Sequence, residues 1–229
     1  MPYAEQVQSP NPTCFVFLID QSGSMGDQWG VDVGKTKKEG VADAINRLLN
    51  EMVLRCTEGE TVKDRFWVGV IGYGKEGKAG PAFGGKLSQL TPTCAVCKGQ
   101  HPGLVPISEV AKNPEAVEPR MKKEPDGAGG VIEIAFDFAV YFYPVADGGT
   151  PMCAALRLAQ PILQSWVNTH PNCFPPTVIN ITDGESTDGN PSTLATSLTE
   201  LASFCRETAK KPTVAIWASP YDMTQSLVS

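Results

Sequence analysis

The sequence predicts an α/β fold: a doubly wound, mostly parallel central sheet with helices on both faces and one antiparallel edge strand. Three stretches carry that expectation. Cys14 to Ile19 is an uncharged run of β-branched, aromatic and aliphatic residues, the pattern of a strand buried on both faces of a sheet. Val41, Ala44, Ile45, Leu48, Leu49, Met52 and Val53 then recur at helical spacing, which marks an amphipathic helix. Arg65 to Tyr73, with Phe66, Trp67, Val68, Val70 and Ile71, is a second apolar strand. Strand, helix and strand in this order imply a βαβ crossover and parallel pairing.

Composition agrees with one globular domain over 1–229. The chain has 41% hydrophobic and 19% charged residues, an ordinary balance for a folded domain of this length. A net charge of −6 argues against a general nucleic-acid binder, which would carry a basic patch. No run approaches the roughly 20 apolar residues of a membrane span. Met1 to Pro12 is polar and lacks a charged-then-apolar leader pattern, so a cytoplasmic location is expected.

The first strand ends on Asp20-Gln21-Ser22-Gly23-Ser24. A glycine between two hydroxyls lets the chain turn so that Asp20, Ser22 and Ser24 face a common centre. Ligands of open α/β sheets sit beyond the carboxyl ends of the strands, and such an oxygen set suits a hard cation such as Mg²⁺. By itself the same pentapeptide serves equally well as a capped turn.

Met25 to Gly34 is glycine-rich and expected to be irregular, ahead of the helix from Val41. Two nucleotide motifs are decoys. Gly72-Tyr73-Gly74-Lys75-Glu76-Gly77 fits GxGxxG but leads into more glycine and proline instead of a helix. Gly30 to Thr36 is one residue short of a P-loop and has no strand directly before it. Residues 75–147 read as an enlarged irregular segment with one short helix, Ile107 to Ala111, and another turn opening at Pro114 and Glu115. Within it Val131 to Tyr143 alternates, with Ile132, Ile134, Phe136, Phe138, Val140 and Phe142 on one face; one wet face suggests an antiparallel strand at the sheet edge.

Gly148-Gly149-Thr150-Pro151 opens the next helix, with Thr150 as N-cap and Pro151 at the first helical position. Met152, Ala155, Leu156, Ala159, Leu163 and Trp166 should face the core, and Pro161 should kink the helix. Thr177 to Asp183 is a further buried strand ending on a carboxylate, and Asn180-Ile181-Thr182 within it is no real glycosylation acceptor. Glu185 and Asp188 would form an acidic rim with Asp27. Pro191 to Thr208 reads as a helix and Thr213 to Ala218 as a last strand. Only Ser219 to Ser229 follow, too short and polar for a closing helix, so the expectation is an exposed C-terminal edge that promotes self-association.

Of seven cysteines, Cys14, Cys153 and Cys205 fall in predicted elements, where free cysteine behaves as a small hydrophobe. Cys94-Ala95-Val96-Cys97, with His101 four residues on, is half of a zinc motif. No second pair with matching spacing exists, so the expectation is an exposed loop with two free thiols and no structural zinc.

Asp20, Ser22, Ser24, Thr150 and Asp183 together form the pattern DxSxS, distant threonine, distant aspartate. In this order and context it resembles the von Willebrand factor type A (VWA) domain, a Rossmann-like fold, and its metal-ion-dependent adhesion site. Leu18 to Met25 and Gly148 to Met152 are similar to intracellular bacterial VWA proteins associated with tellurium resistance and kinase–phosphatase signalling. The resemblance covers the chain to about Asp188 and is weaker beyond.

It implies a module that does no chemistry and binds a protein partner through Mg²⁺, with Mn²⁺ as substitute. An open coordination position would accept a glutamate or aspartate of the partner. By that resemblance Ser22 and Ser24 bind the metal directly, Asp20 and Asp183 act partly through water, and Thr150 makes a switchable contact. The competing reading is a metal-dependent hydrolase or phosphotransferase at the same acidic site. Against it, His101 and His170 are the only histidines and neither lies near the motif, and Ser22 stands where an Asp-x-Asp phosphatase needs its second aspartate. A vestigial, purely structural site is the third reading, disfavoured by the intact ligand set.

Overall fold

The computed structural model describes residues 7–29, 34–127, 129–171, 173–174, 176–193 and 215–218. Strand β1 (Thr13–Asp20) lies at the centre of a sheet with β4 (Phe66–Tyr73) on one side and β9 (Thr177–Ile181) on the other. Both pairs are parallel. β10 (Ala215–Ala218) adds a further parallel strand outside β9. Two short antiparallel pieces, β5 (Ala79–Pro81) and β6 (Val105–Pro106), pair with β4 on the far side. The sheet is therefore mostly parallel with an antiparallel margin. A two-stranded hairpin, β2 (Thr57–Glu58) with β3 (Thr61–Val62), leads into β4.

Two helices cover opposite faces of this sheet, and the alternation of β1 decides which side chain meets which. Phe17 and Ile19 join Val41, Ile45, Leu49 and Met52 of α1 (Lys37–Cys56) in one buried cluster. Cys14, Val16 and Leu18 join Ala155, Leu156, Ala159, Leu163 and Trp166 of α3 (Met152–Thr169) in the other. A strand covered on both sides has no wet face, which is why β1 reads as a continuous apolar run. All six residues expected on the inner face of α3 are buried. The helix continues through Pro161 to Thr169. α1 begins at Lys37, one turn before the Val41 start that the periodicity suggests, the Glu39 carboxylate accepting the Thr36 backbone N–H at 2.7 Å as in a capping box.

Residues 75–147 are more ordered than their composition suggests. Besides β5, β6 and α2 (Ile107–Lys112), they hold a long antiparallel ribbon of β7 (Ala116–Pro125) and β8 (Val131–Val140). The alternation of β8 is as expected, but its placement is not: β8 pairs only with β7, in a sheet of its own, and the antiparallel neighbours of the central sheet are β5 and β6. The expected turn at Pro114 and Glu115 gives way directly to β7. That strand escapes notice because it carries Pro119 and Pro125, which argue against a strand in the middle of a sheet; a two-stranded ribbon has only edges. Its apolar face is roofed by its own cations, with the Arg120 guanidinium 3.7 Å from the Phe138 ring centroid and Lys122 over Phe136. Asn46 of α1 ties the ribbon's exit to the core, donating to the Phe142 carbonyl and accepting the N–H groups of Tyr141 and Phe142.

The expected helix from Pro191 to Thr208, with Cys205, lies outside the described residues from residue 194 onward, as does the C-terminal edge formed by 219–229. Among the described residues no helix is long and apolar enough to cross a membrane.

Candidate functional site

Parallel register brings the ends of β1, β4 and β9 level: Asp20 pairs with Tyr73, and Ile19 with Ile181. The residues just past these ends meet in one crevice, where open α/β sheets bind ligands. Asp20 is buried, with its Oδ1 accepting the Ser22 N–H at 2.8 Å and its Oδ2 the Thr182 hydroxyl at 2.7 Å. Burial pushes the Asp20 carboxyl above the usual carboxylate range, against the hydrogen bonds from Ser22 and Thr182 that favour its charge. The Ser22 and Ser24 hydroxyls are 3.1 Å apart, and Ser24 Oγ donates to Asp183 Oδ1 at 2.9 Å. Asp20, Ser22, Ser24 and Asp183 thus form one continuous polar chain around the crevice.

Three features of this site are not legible in its motif. The first is Lys37, at the start of α1, whose ammonium donates to Asp183 Oδ2 at 2.6 Å and lies 3.4 Å from Asp27. Both partners of the closer pair are shielded, with the Lys37 and Asp183 side chains 12% and 3% exposed. The second is Thr182. β9 ends at Ile181, two residues earlier than expected, and this frees the Thr182 hydroxyl to reach Asp20. The third is close backbone approach. Gly74 has φ +132°, and a Cβ there would lie 2.5 Å from the Ser22 nitrogen; Gly148 has φ +72°, and a Cβ there would lie 2.4 Å from the Gly74 carbonyl oxygen. These glycines stack three loops, so the failed GxGxxG motif has a different use: Gly74 lets the β4 turn press against the serine loop.

Thr150 is buried beside the crevice, but its place differs from a helix cap. α3 starts at Met152 with Pro151 as its N-cap. Thr150 exchanges backbone-anchored hydrogen bonds with Thr187: its N–H donates to Thr187 Oγ1 and its carbonyl accepts the Thr187 N–H. Gly23 N–H donates to the Gly148 carbonyl at 3.0 Å, which holds the 148–150 loop against the serine loop. The cap itself comes from Asp188, whose carboxylate accepts the N–H groups of Cys153 and Ala154 at 2.9 and 2.8 Å. Burial opposes the charge, but together these bonds and one from Ser186 outweigh it and hold Asp188 below the usual carboxylate range. Asp188 therefore serves the helix, and the expected acidic rim is reduced to exposed Glu185 and to Asp27, itself paired with Lys37. Tyr73 beneath the crevice donates to Asn180 Oδ1 at 2.8 Å, both buried, which removes Asn180 from any glycosylation role.

A second cluster brings Cys94 and Cys97 together with His101 and with His170, which caps the far end of α3. Cys94 Sγ lies 3.3 Å from His170 Nε2 and Cys97 Sγ lies 3.2 Å from His101 Nε2; ligand atoms of all four residues fall within 4.8 Å of one another. Both thiols are free, but Cys94, His101 and His170 are buried and Cys97 is half-buried, so the loop turns these side chains inward while Val96 stays exposed. Burial pushes both imidazoles toward their neutral form, His170 to about 4 with His101 adding to the effect.

Compared with known proteins, the chain matches no protein-family model, and no curated protein is significantly similar to it.

Proposed function

We propose that the crevice at the strand ends binds Mg²⁺ and that the protein is a metal-dependent interaction module whose partner completes the coordination with a glutamate or aspartate. The observation that carries this reading is the convergence of Asp20, Ser22, Ser24 and Asp183 in one hydrogen-bonded set, with Thr150 alongside. The donors fit the ion: two carboxylates balance its charge, and neutral hydroxyls add oxygen ligands. The Lys37 ammonium on Asp183 supports the fit, because it shows a carboxylate that takes a positive charge at close range. Bound there, Mg²⁺ would supply a strong local positive charge able to hold an anionic oxygen. Asp20, Ser22, Ser24 and Asp183 would hold the ion, with Thr182 orienting the Asp20 carboxylate.

A non-catalytic role is supported by the location of both histidines in the Cys/His cluster, which leaves the crevice without an imidazole general base. The setting suggested by the sequence resemblance is bacterial intracellular signalling or stress response. The test is binding of an identified partner, with its contact Glu or Asp changed to Gln or Asn, in Mg²⁺ and in chelator. Loss of affinity in both arms is the expected result. Affinity indifferent to the swap and to chelator would refute the reading.

A further inference from the structure

The loop from Thr93 to Gln100 folds into a tight turn for which a pair of unligated thiols gives no reason. Thr93 and Gln100 bridge its base, Cys94 N–H donates to the Gly99 carbonyl at 2.8 Å, and Lys98 N–H donates to the Cys94 carbonyl at 3.0 Å. Lys98 sits at φ +60°, a left-handed conformation costly for any residue with a Cβ. The turn's effect is to aim the Gly99 N–H at Cys97 Sγ, 3.4 Å away.

The histidines are equally prepared. His170 Nδ1 lies 3.3 Å from the Trp166 carbonyl oxygen, which can only accept, and 3.0 Å from Thr169 Oγ1. Nδ1 must therefore carry the proton, and Nε2 presents its lone pair to the cluster; fixing a ligating ring through its other nitrogen is the usual support of a metal-bound histidine. His101 is 2% exposed, and its Nδ1 has no hydrogen-bond partner among the described residues. Among the described residues the one hydrogen-bond partner of that ring is thus Cys97, a weak return for burying an imidazole. Trp67 and Trp166 pack against it, and Trp166 stacks on His170 with ring centroids 4.0 Å apart, so the cluster is shielded from solvent on its inner side.

We propose that Cys94, Cys97, His101 and His170 bind one structural zinc ion, which clips the 93–101 loop to the C-terminal end of α3. With Zn–S near 2.3 Å and Zn–N near 2.0–2.1 Å, ligand atoms of a tetrahedral site stand roughly 3.3–3.8 Å apart. The two S–N separations of 3.3 and 3.2 Å fall at and just under the short end of that range, so a small outward shift of each pair admits the ion. Two thiolates and two neutral imidazoles give Zn²⁺ zero net charge, which a buried site requires. A Rieske-type cluster does not fit: its cysteines and histidines ligate different irons, whereas here each sulfur touches a histidine nitrogen. Four protein ligands leave no open position, so the ion is structural.

The test is metal analysis of the full chain purified without chelator, followed by Co²⁺ replacement. One equivalent of zinc is expected, and Co²⁺ should give the intense visible bands of a tetrahedral site with thiolate charge transfer. Cys97→Ser and His170→Ala should lose the metal, and Asp183→Ala should retain it, which separates this site from the Mg²⁺ crevice. Because loss of the ion can unfold the first two variants, His170→Cys is the rescue: it should hold one zinc and strengthen the thiolate band. Zinc-free wild-type protein with no Co²⁺ spectrum, a Cys94–Cys97 disulfide in its place, zinc retained by both His170→Ala and Cys97→Ser, or folded His170→Cys without metal would each overturn the assignment.

Discussion

The two ends of α3 carry side-chain sets of opposite chemistry. Before its first turn lies an oxygen set, Asp20, Ser22, Ser24, Asp183 and Thr150; at its last residue lies a sulfur and nitrogen set, Cys94, Cys97, His101 and His170. With 18 residues the helix holds them about 27 Å apart. The oxygen set reaches the surface, since Ser24 is exposed, and its Asp183 carboxylate already accepts an ammonium. The nitrogen and sulfur set is shielded on its inner side by Trp67 and Trp166. Hard, partly hydrated cations need the first kind of site, and soft, fully ligated ones the second. On the two proposals above, the difference is that between a site that exchanges ligands and one that holds the fold.

The largest effect should come from the closed end. Removing Cys97 or His170 as a ligand should destabilise the folded protein by more than about 4 kcal/mol, in the range reached when a structural metal is lost. Thermal melting should fall by roughly 10 °C or more; a wild-type melting curve for Cys97→Ser would erase the contrast between the two ends.

At the open end the effect should depend on added metal. A hundredfold excess of Mg²⁺ over Kd should raise stability by about 2.7 kcal/mol. Asp183→Ala and Ser22→Ala should remove that increment while leaving the metal-free fold and the zinc content intact. Calorimetric scans with and without Mg²⁺ check this, and an undiminished increment in Asp183→Ala would move the site elsewhere.

Lys37 sharpens the comparison, because an ammonium and Mg²⁺ compete for the same Asp183 carboxylate. Lys37→Met should tighten Mg²⁺ about tenfold, equivalent to about 1.4 kcal/mol, and leave zinc unchanged. Titration calorimetry reads both, and weaker Mg²⁺ binding in this variant would make Lys37 a helper of the metal instead of its competitor.

The smallest change should be Asp188→Ala. It removes two N-terminal hydrogen bonds of the helix that joins both sites, so a loss of about 1 kcal/mol is expected. Both metals should still bind. Loss of Mg²⁺ binding alone in this variant would return Asp188 to the rim of the crevice.

Much of the fold could be read from single stretches. β1, β4 and α1 announce themselves because burial on both faces, or on one helical stripe, is written into neighbouring residues. β7 did not, since its prolines obey the rules of an edge that only the ribbon's isolation supplies. The oxygen site was legible for a related reason: three of its residues sit within Asp20-Gln21-Ser22-Gly23-Ser24, and the others lie at strand or helix ends that the periodicity locates. Lys37 and Thr182 were missed because each is one turn or one residue beyond such an end.

The sequence by itself determined the layered α/β core and the position of Asp20, Ser22, Ser24 and Asp183 at strand ends, because these follow from hydrophobic periodicity and from where each period stops. Tertiary structure alone decided that His170 meets Cys94, Cys97 and His101. The length of α3 sets where its last residue falls, and its packing on the sheet sets which loop that residue meets. No local spacing records either, so a ligand pair separated by 76 residues becomes a site only when the helix is laid across the strands.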